Sequence, residues 1–362
     1  EEMTLKDAFK DCFYVGTAIG SKLLNENDNS TVSHILRQFN SVTTENALKW
    51  SQFNPKPGVF CPKDADTCVD FAAKHKMYFV GHVFFWHNQT PKWVFEDAEG
   101  NPLTREALLA RMRDRVKSLA TRYEGKINAW DVVNESIMDD GKLRDSKFVR
   151  IIGNDFIEQA FRIADEELPK NVELIYNDYG MEGEKKRDAV AEMVKNLKSK
   201  GIRIDHVGMQ GHWSIKSPST EEIEKSILAF SEAGVDVHIT ELDIDLLPRK
   251  AEMWNGDADI LLELQADPSM DPYKNGLPNE IQKKLAERYA EIFRLFLKHK
   301  DKIKRVTFWG ATDRHSWLND WPVKGRTSYP MLFDRDCRPK PAFYAVMDIV
   351  RECKDENQSR QK

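Results

Sequence analysis

Two glutamates stand where short β-branched runs should give way to loops. Glu135 closes Trp130-Asp131-Val132-Val133-Asn134-Glu135, and Glu241 sits within Ile239-Thr240-Glu241-Leu242-Asp243. Two carboxyl groups facing one sugar bond are what glycoside hydrolysis requires. A single glutamate at a strand end can be a helix cap or a salt-bridge partner. Two in apolar runs, beside Asn134 and Asp243, call for a partner or a function, because an unpaired buried carboxylate is costly. They lie far apart in the chain, so only a closed fold can bring them together.

The elements that would do so alternate along the sequence. Eight runs rich in Val, Ile, Phe and Tyr read as strands: 14–19, 39–43, 78–84, 127–133, 173–177, 206–210, 235–240 and 305–309. Helical stretches separate them. From Thr104 to Tyr123 the apolar residues Leu108, Met112, Val116, Leu119 and Tyr123 form one amphipathic stripe. Ser219-Thr220-Glu221-Glu222 has the form of a capping box, and Gly234 is placed to end that helix. Near-continuous apolar strands between helices indicate a parallel sheet covered by helices. Eight such units predict an α/β fold, a single-domain (β/α)8 TIM barrel over residues 1–353 with a frayed polar tail at 354–362. No Gly-x-Gly-x-x-Gly follows the first run, which argues against a dinucleotide cofactor.

Composition narrows the function classes. The chain has 362 residues, 41% hydrophobic and 31% charged, with a net charge of −5. That balance does not suit a nucleic-acid or anionic-membrane partner. No apolar stretch reaches the ~18 residues that span a bilayer. The first residues have neither a basic nor an apolar leader region, so the chain reads as cytoplasmic or as a mature form. Cys12, Cys61, Cys68, Cys337 and Cys353 form no Cys-x-x-Cys pair. Cys61 and Cys68 could form a local disulfide, but free thiols are the simpler reading.

In a barrel of this kind, chemistry gathers at the C-terminal ends of the strands. Those ends carry Glu45, Asn46 and Lys49; His82, Trp86, His87 and Gln89; Asn134 and Glu135; Asn177, Asp178 and Tyr179; Gln210 and His212; Glu241 and Asp243; then Trp309, Asp313, His315 and Trp317. Indole rings stack on sugar faces, and amides, carboxylates and ammonium groups bond hydroxyls. Such a rim describes a carbohydrate cleft. Trp50, Trp93 and Trp130 read as core, and His206 and His238 as structural histidines. His82, His87 and His212 could ligate a metal, but no His-x-His or His-Glu-x-x-His spacing appears, so no metal is expected. The long stretch from Asp245 to Pro278, with Trp254, reads as a functional loop.

Seven segments carry a family resemblance. They are Val42–Trp50, Gly81–Pro91, Trp130–Glu135, Tyr176–Tyr179, Gly208–His212, Ile239–Asp243 and Thr307–Gly310. In this order they resemble the catalytic domain of glycoside hydrolase family 10, the endo-β-1,4-xylanases, over nearly the whole chain. The resemblance implies a retaining mechanism with Glu241 as nucleophile and Glu135 as acid/base. In such enzymes the carboxyl groups are ~5–5.5 Å apart. It further implies that His212 bonds Glu241 and that Asp243 orients His212. Glu45, Asn46, Lys49, His82, Trp86 and Gln89 would contact the glycone. Asn134 would bond the sugar 2-hydroxyl, Gln210 would line the same site, Trp309 and Trp317 would flank the sugar, and Tyr179 would face the leaving side. Xylan and xylo-oligosaccharides are the implied partners of a monomeric, secreted, periplasmic or cell-surface enzyme without cofactor. Gly180, Val83-Phe84-Phe85 and His238 depart from the family's usual residues. A β-1,4-glucanase, a mixed-linkage glucanase or a non-catalytic glycan-binding barrel are the competing readings.

Overall fold

The computed structural model describes residues 2–25, 29–249 and 267–360. Among the described residues nine strands form, all pairing in parallel: β1 (Tyr14–Ile19), β2 (Ser41–Thr44), β3 (Tyr78–Trp86), β4 (Ala129–Asn134), β5 (Glu173–Asp178), β6 (His206–Met209), β7 (His212–Ser214), β8 (Asp236–Asp245) and β9 (Ile303–Phe308). The pairing of β1 with β9 and of β6 with β8 closes eight of them into a barrel. All eight predicted strands are present, with ends shifted by a few residues.

The ninth strand, β7, was not predicted. It pairs only with the end of β8, setting His212 opposite Asp243. β8 correspondingly runs to Asp245, well beyond the predicted end at Thr240. The sequence holds a reason: Glu241-Leu242-Asp243-Ile244-Asp245 alternates polar and apolar residues, which is a strand signature. Glu241 and Asp243 therefore share one face of β8.

Helices cover the outside of the ring. The helix Arg105–Arg122 starts at Thr104, whose hydroxyl accepts from the Ala107 amide. The capping box at Ser219 and Glu222 forms, and Gly234 ends that helix at φ 101°. Between helices and strands lies the main core, which includes Trp50 and Trp130. Phe84 and Trp130 stack with centroids 3.9 Å apart. A side chain at Gly81 would run into the Trp130 ring, so this packing requires glycine there. Trp93 packs against the same core, and all five cysteines are free. The tail does not begin at residue 354 as expected: the last helix spans Pro341–Arg360. Lys, Glu, Gln and Arg are good helix formers, and extending an existing helix costs little. Trp254 and much of the predicted 245–278 loop lie outside the described residues.

One buried ion pair fixes the loop after β9. Lys340 Nζ lies 2.9 Å from Asp313 Oδ2 and also donates to the Tyr329 and Met331 carbonyls. Asp313 in turn accepts from the Met331 amide. This loop carries Trp317. Lys340→Met leaves Asp313 buried without its cation, which costs about 3–5 kcal/mol. Denaturant unfolding should show that loss; a change under about 1 kcal/mol, ordinary for a surface substitution, would refute the role.

Candidate active site

The C-terminal ends of the barrel strands open into one cleft of about 800 Å³. Glu45, Asn46, Lys49, His82, Trp86, Gln89, Asn134, Glu135, Tyr179, Gln210, His212, Glu241, Trp309 and Trp317 all line it. Asp243 sits behind His212, fully buried. The fold thus brings together every residue assigned a catalytic or sugar-contacting role, while three others expected on the rim lie elsewhere: His87 does not line the cleft, Asp313 is buried against Lys340 and His315 faces a separate hollow.

Glu135 follows β4 with φ +58°, a left-handed conformation that a glutamate adopts at some cost. Two backbone bonds hold it. Its amide donates to the Asn177 carbonyl at 2.9 Å, and its carbonyl accepts from Arg144 Nε at 2.7 Å. The carboxyl accepts from Trp86 Nε1 at 3.1 Å and Gln210 Nε2 at 3.0 Å. Burial, then the charges of Asp178 and Glu241, push its pKa up to about 7, against the opposing pull of Gln210 and Arg144.

Glu241 has a different environment. Burial alone would raise its pKa. His212 Nε2, 3.0 Å from Oε1, and Asn177 Nδ2, donating to Oε2 at 2.9 Å, outweigh burial and bring it below the ordinary value. The other ring nitrogen of His212 lies 3.0 Å from Asp243 Oδ1. Burial works against the imidazolium, yet the two carboxylates raise the His212 pKa to about 10. At neutral pH this site holds one carboxyl that is readily protonated and one that stays ionised. That is the division of labour acid/base and nucleophilic chemistry need.

A chain of amides joins the two. Asn134 Oδ1 accepts from Asn177 Nδ2 at 3.0 Å and from Gln210 Nε2 at 3.2 Å. Its Nδ2 is thereby turned towards Glu135 Oε2, at 3.4 Å, and the cleft. Asn177 Oδ1 accepts from Thr240 Oγ1 at 2.6 Å, which fixes that amide too. Asn177 stood on the predicted rim without a role; its place in Tyr176-Asn177-Asp178-Tyr179 was the available signal.

On one side of the pair, Lys49 Nζ donates to Asn46 Oδ1 at 2.7 Å and sits 5.0 Å from the Trp86 ring centre. Burial raises Glu45 and lowers Lys49, with each charge opposing the other's shift. His82 Nδ1 is 2.8 Å from Asp131 Oδ2, and its ring meets Trp309 edge-on at 5.6 Å. On the other side, Arg144 Nη2 donates to the Tyr179 hydroxyl at 2.9 Å, and Lys186 lies 3.9 Å from the Tyr179 ring centre. Trp317 donates to Asp243 Oδ2 at 2.8 Å and stacks on Trp321 at 4.4 Å. Arg144, Asp131, Lys186 and Trp321 were missed by sequence reasoning. Asp131 had a signal, a lone carboxylate in an apolar strand; the others belong to no pattern. Of the remaining histidines, His206 and His238 lie buried in β6 and β8, as expected for structural residues.

Comparison with known proteins agrees with this geometry. Residues 4–349 match the family described as Glycosyl hydrolase family 10. The chain is 44% identical to endo-1,4-beta-xylanase A of Xylanibacter ruminicola over 346 residues, covering 96% of this chain and 93% of that protein. It is 39% identical to an endo-1,4-beta-xylanase of Geobacillus stearothermophilus, covering 96% and 98%. Among solved structures, a GH10 endoxylanase retrieved from a sugarcane soil metagenome superposes with a TM-score of 0.90 at 46% identity, covering 95% and 99%. The chain belongs to glycosyl hydrolase family 10.

Proposed function

We propose that this protein is a retaining endo-β-1,4-xylanase. One observation carries the reading: two buried carboxyl groups share one cleft, Glu241 against the His212 imidazole and Glu135 against an indole and an amide donor, and their pKa values are shifted in opposite directions. Glu241, ionised and oriented by His212 and Asn177, attacks the anomeric carbon. Glu135 gives its proton to the leaving oxygen. A glycosyl-enzyme forms, Glu135 then removes a proton from water, and the water releases the sugar with retained configuration. Asn134 presents its Nδ2 to the sugar 2-hydroxyl, a bond that strengthens in the transition state.

The cleft extends past the carboxyl pair in both directions, from Glu45 on one side to Tyr179 and Glu222 on the other. That supports cleavage within a chain. Xylose lacks the hydroxymethyl group of glucose, and we assign discrimination between the two to Trp317, which lines the cleft stacked on Trp321 and 4.8 Å from His212. The relatives named as xylanases support the same substrate. A polymer of this kind is met outside the cytoplasm, so we place the enzyme there, acting as a monomer. Activity confined to the cytoplasmic fraction would overturn the first point, and a dimeric sedimentation profile the second.

Reducing-sugar release should be far greater from xylan than from carboxymethylcellulose; preferential cleavage of cellulose would reverse the assignment. Glu135→Ala should lower kcat/KM on xylan by about 10²–10⁴-fold, the usual share of a general acid/base. On an activated aryl xyloside, azide should restore its turnover with a retained product; an inverted product would exchange the two roles. Glu241→Ala should abolish turnover while oligosaccharide binding survives.

The pH profile has a definite sign. Activity needs Glu135 protonated and Glu241 ionised. The alkaline limb of kcat/KM should therefore fall through about 7, where Glu135 loses its proton. The acid limb should lie below the ordinary glutamate range, where Glu241 gains one. A flat profile from pH 6 to 9 would contradict the assignment of Glu135.

A further inference from the structure

Inside the barrel, below the cleft, lies a cation that the mechanism above does not use. Arg305 on β9 is fully buried. Its Nε donates to His238 Nδ1 at 3.0 Å. Its Nη1 donates to the hydroxyls of Thr43 at 3.0 Å and Thr307 at 2.5 Å. None of these acceptors carries a negative charge, since burial and the neighbouring cations keep His238 neutral. A guanidinium buried on neutral partners alone costs several kcal/mol, so a counter-charge is needed.

Asp131 on β4 is that counter-charge. Among the carboxylates it is the one that most favours the charged form of Arg305, ahead of Glu241 and Glu173. Its Oδ2 is engaged by His82, while its Oδ1 has no protein partner among the described residues. Arg305 Nη2 also has none. One is an acceptor and the other a donor. The guanidinium already reaches from β9 to Thr43 on β2, and Thr43 is in register with Val80 of β3, two residues before His82. His82 is in register with Asp131. Arg305 and Asp131 are not in direct contact, so one buried water inside the barrel would join the two orphaned atoms.

We propose that Arg305 is a positioning residue for the sugar site: it fixes the Asp131 carboxylate, and Asp131 fixes His82 in the cleft wall. Asp131 Oδ2 stands 2.8 Å from His82 Nδ1 and so fixes the ring where it lines the cleft. Without the guanidinium, the carboxylate loses the partner that holds its orientation, and its contact with His82 is no longer fixed. His82 then loses its fixed ring orientation, and Trp309, packed on its edge, loses its support. His82 lines the cleft with Glu135 and Glu241; in the xylanase reading it bonds the sugar undergoing reaction, so the loss falls on kcat more than on KM. The inference rests on the xylanase reading and adds a residue to it.

Steady-state kinetics on xylohexaose test it, with five variants compared to wild type. Arg305→Met should lower kcat/KM by about tenfold, mostly in kcat, as for other residues that orient a site residue. Arg305→Lys should recover part of that loss. The double variant Arg305→Met/Asp131→Asn should be no worse than Asp131→Asn alone, because both changes break one connection. Thr43→Val, which removes an anchor of the guanidinium, should give a smaller loss of the same kind, and carries the test if Arg305→Met does not fold. A folded Arg305→Met with a lowered melting temperature but unchanged kcat and KM would make Arg305 merely structural and overturn the proposal. So would losses that multiply in the double variant, or wild-type kinetics in both Arg305→Lys and Thr43→Val when Arg305→Met is unfolded. A wild-type chain that leaves xylohexaose intact would instead overturn the xylanase reading itself.

Discussion

Two buried carboxyl groups in one cleft cannot both be ionised without compensation, and here Glu241 is the one with a cation against it. That asymmetry is the constraint on which the rest of the site depends. His212, raised to about 10 by the two carboxylates beside it, stays a cation and stands directly against Glu241. The Glu135 carboxyl takes hydrogen bonds from the neutral donors of Trp86, Gln210 and Asn134 and meets the nearby negative charge of Asp178. Burial acts on both, but only Glu241 has an imidazolium to outweigh it. Had the cation stood midway, neither group would be committed to acid or to nucleophile.

The barrel meets this constraint through backbone placement. Parallel strands in a ring deliver their ends to one rim, so residues distant in sequence become neighbours without long loops. β7 refines the arrangement by pairing with the end of β8, which sets His212 opposite Asp243 and within reach of Glu241. Asn177 on β5 bridges the carboxyl pair, donating one amide hydrogen to Asn134 Oδ1 and the other to Glu241. A small displacement of β5 relative to β8 would therefore be felt at both carboxyl groups.

The legible parts of this structure were those with a local signal. The strands announced themselves by apolar runs, and the helix starting at Ser219 by its capping box. The carboxyl pair and its imidazole partner were legible because short motifs carry them. β7 was not, since three residues in Gly-His-Trp-Ser have no strand pattern of their own and pair only because β8 overruns the ring. Arg144 and Trp321 were invisible for a related reason. Each sits in an irregular segment, and its use depends on which loop the fold brings beside it. Asp131 and Arg305 were passed over because an inward-facing polar residue in a strand looks, in sequence, like an outward-facing one.

The tryptophans show why binding and chemistry are hard to separate here. Trp86 and Trp317 have the flat faces that stack on sugars, and sequence reasoning assigned them to binding. Each indole also spends its single N–H on a carboxylate: Trp86 on Glu135 and Trp317 on Asp243. A donor on Glu135 stabilises its ionised form, and a donor on Asp243 fixes the group behind His212. The same bonds fix the plane of each ring, and so the angle at which it meets a sugar face. At these two positions the orientation of the substrate platform and the placement of charge are set by one hydrogen bond, and neither can be adjusted without the other.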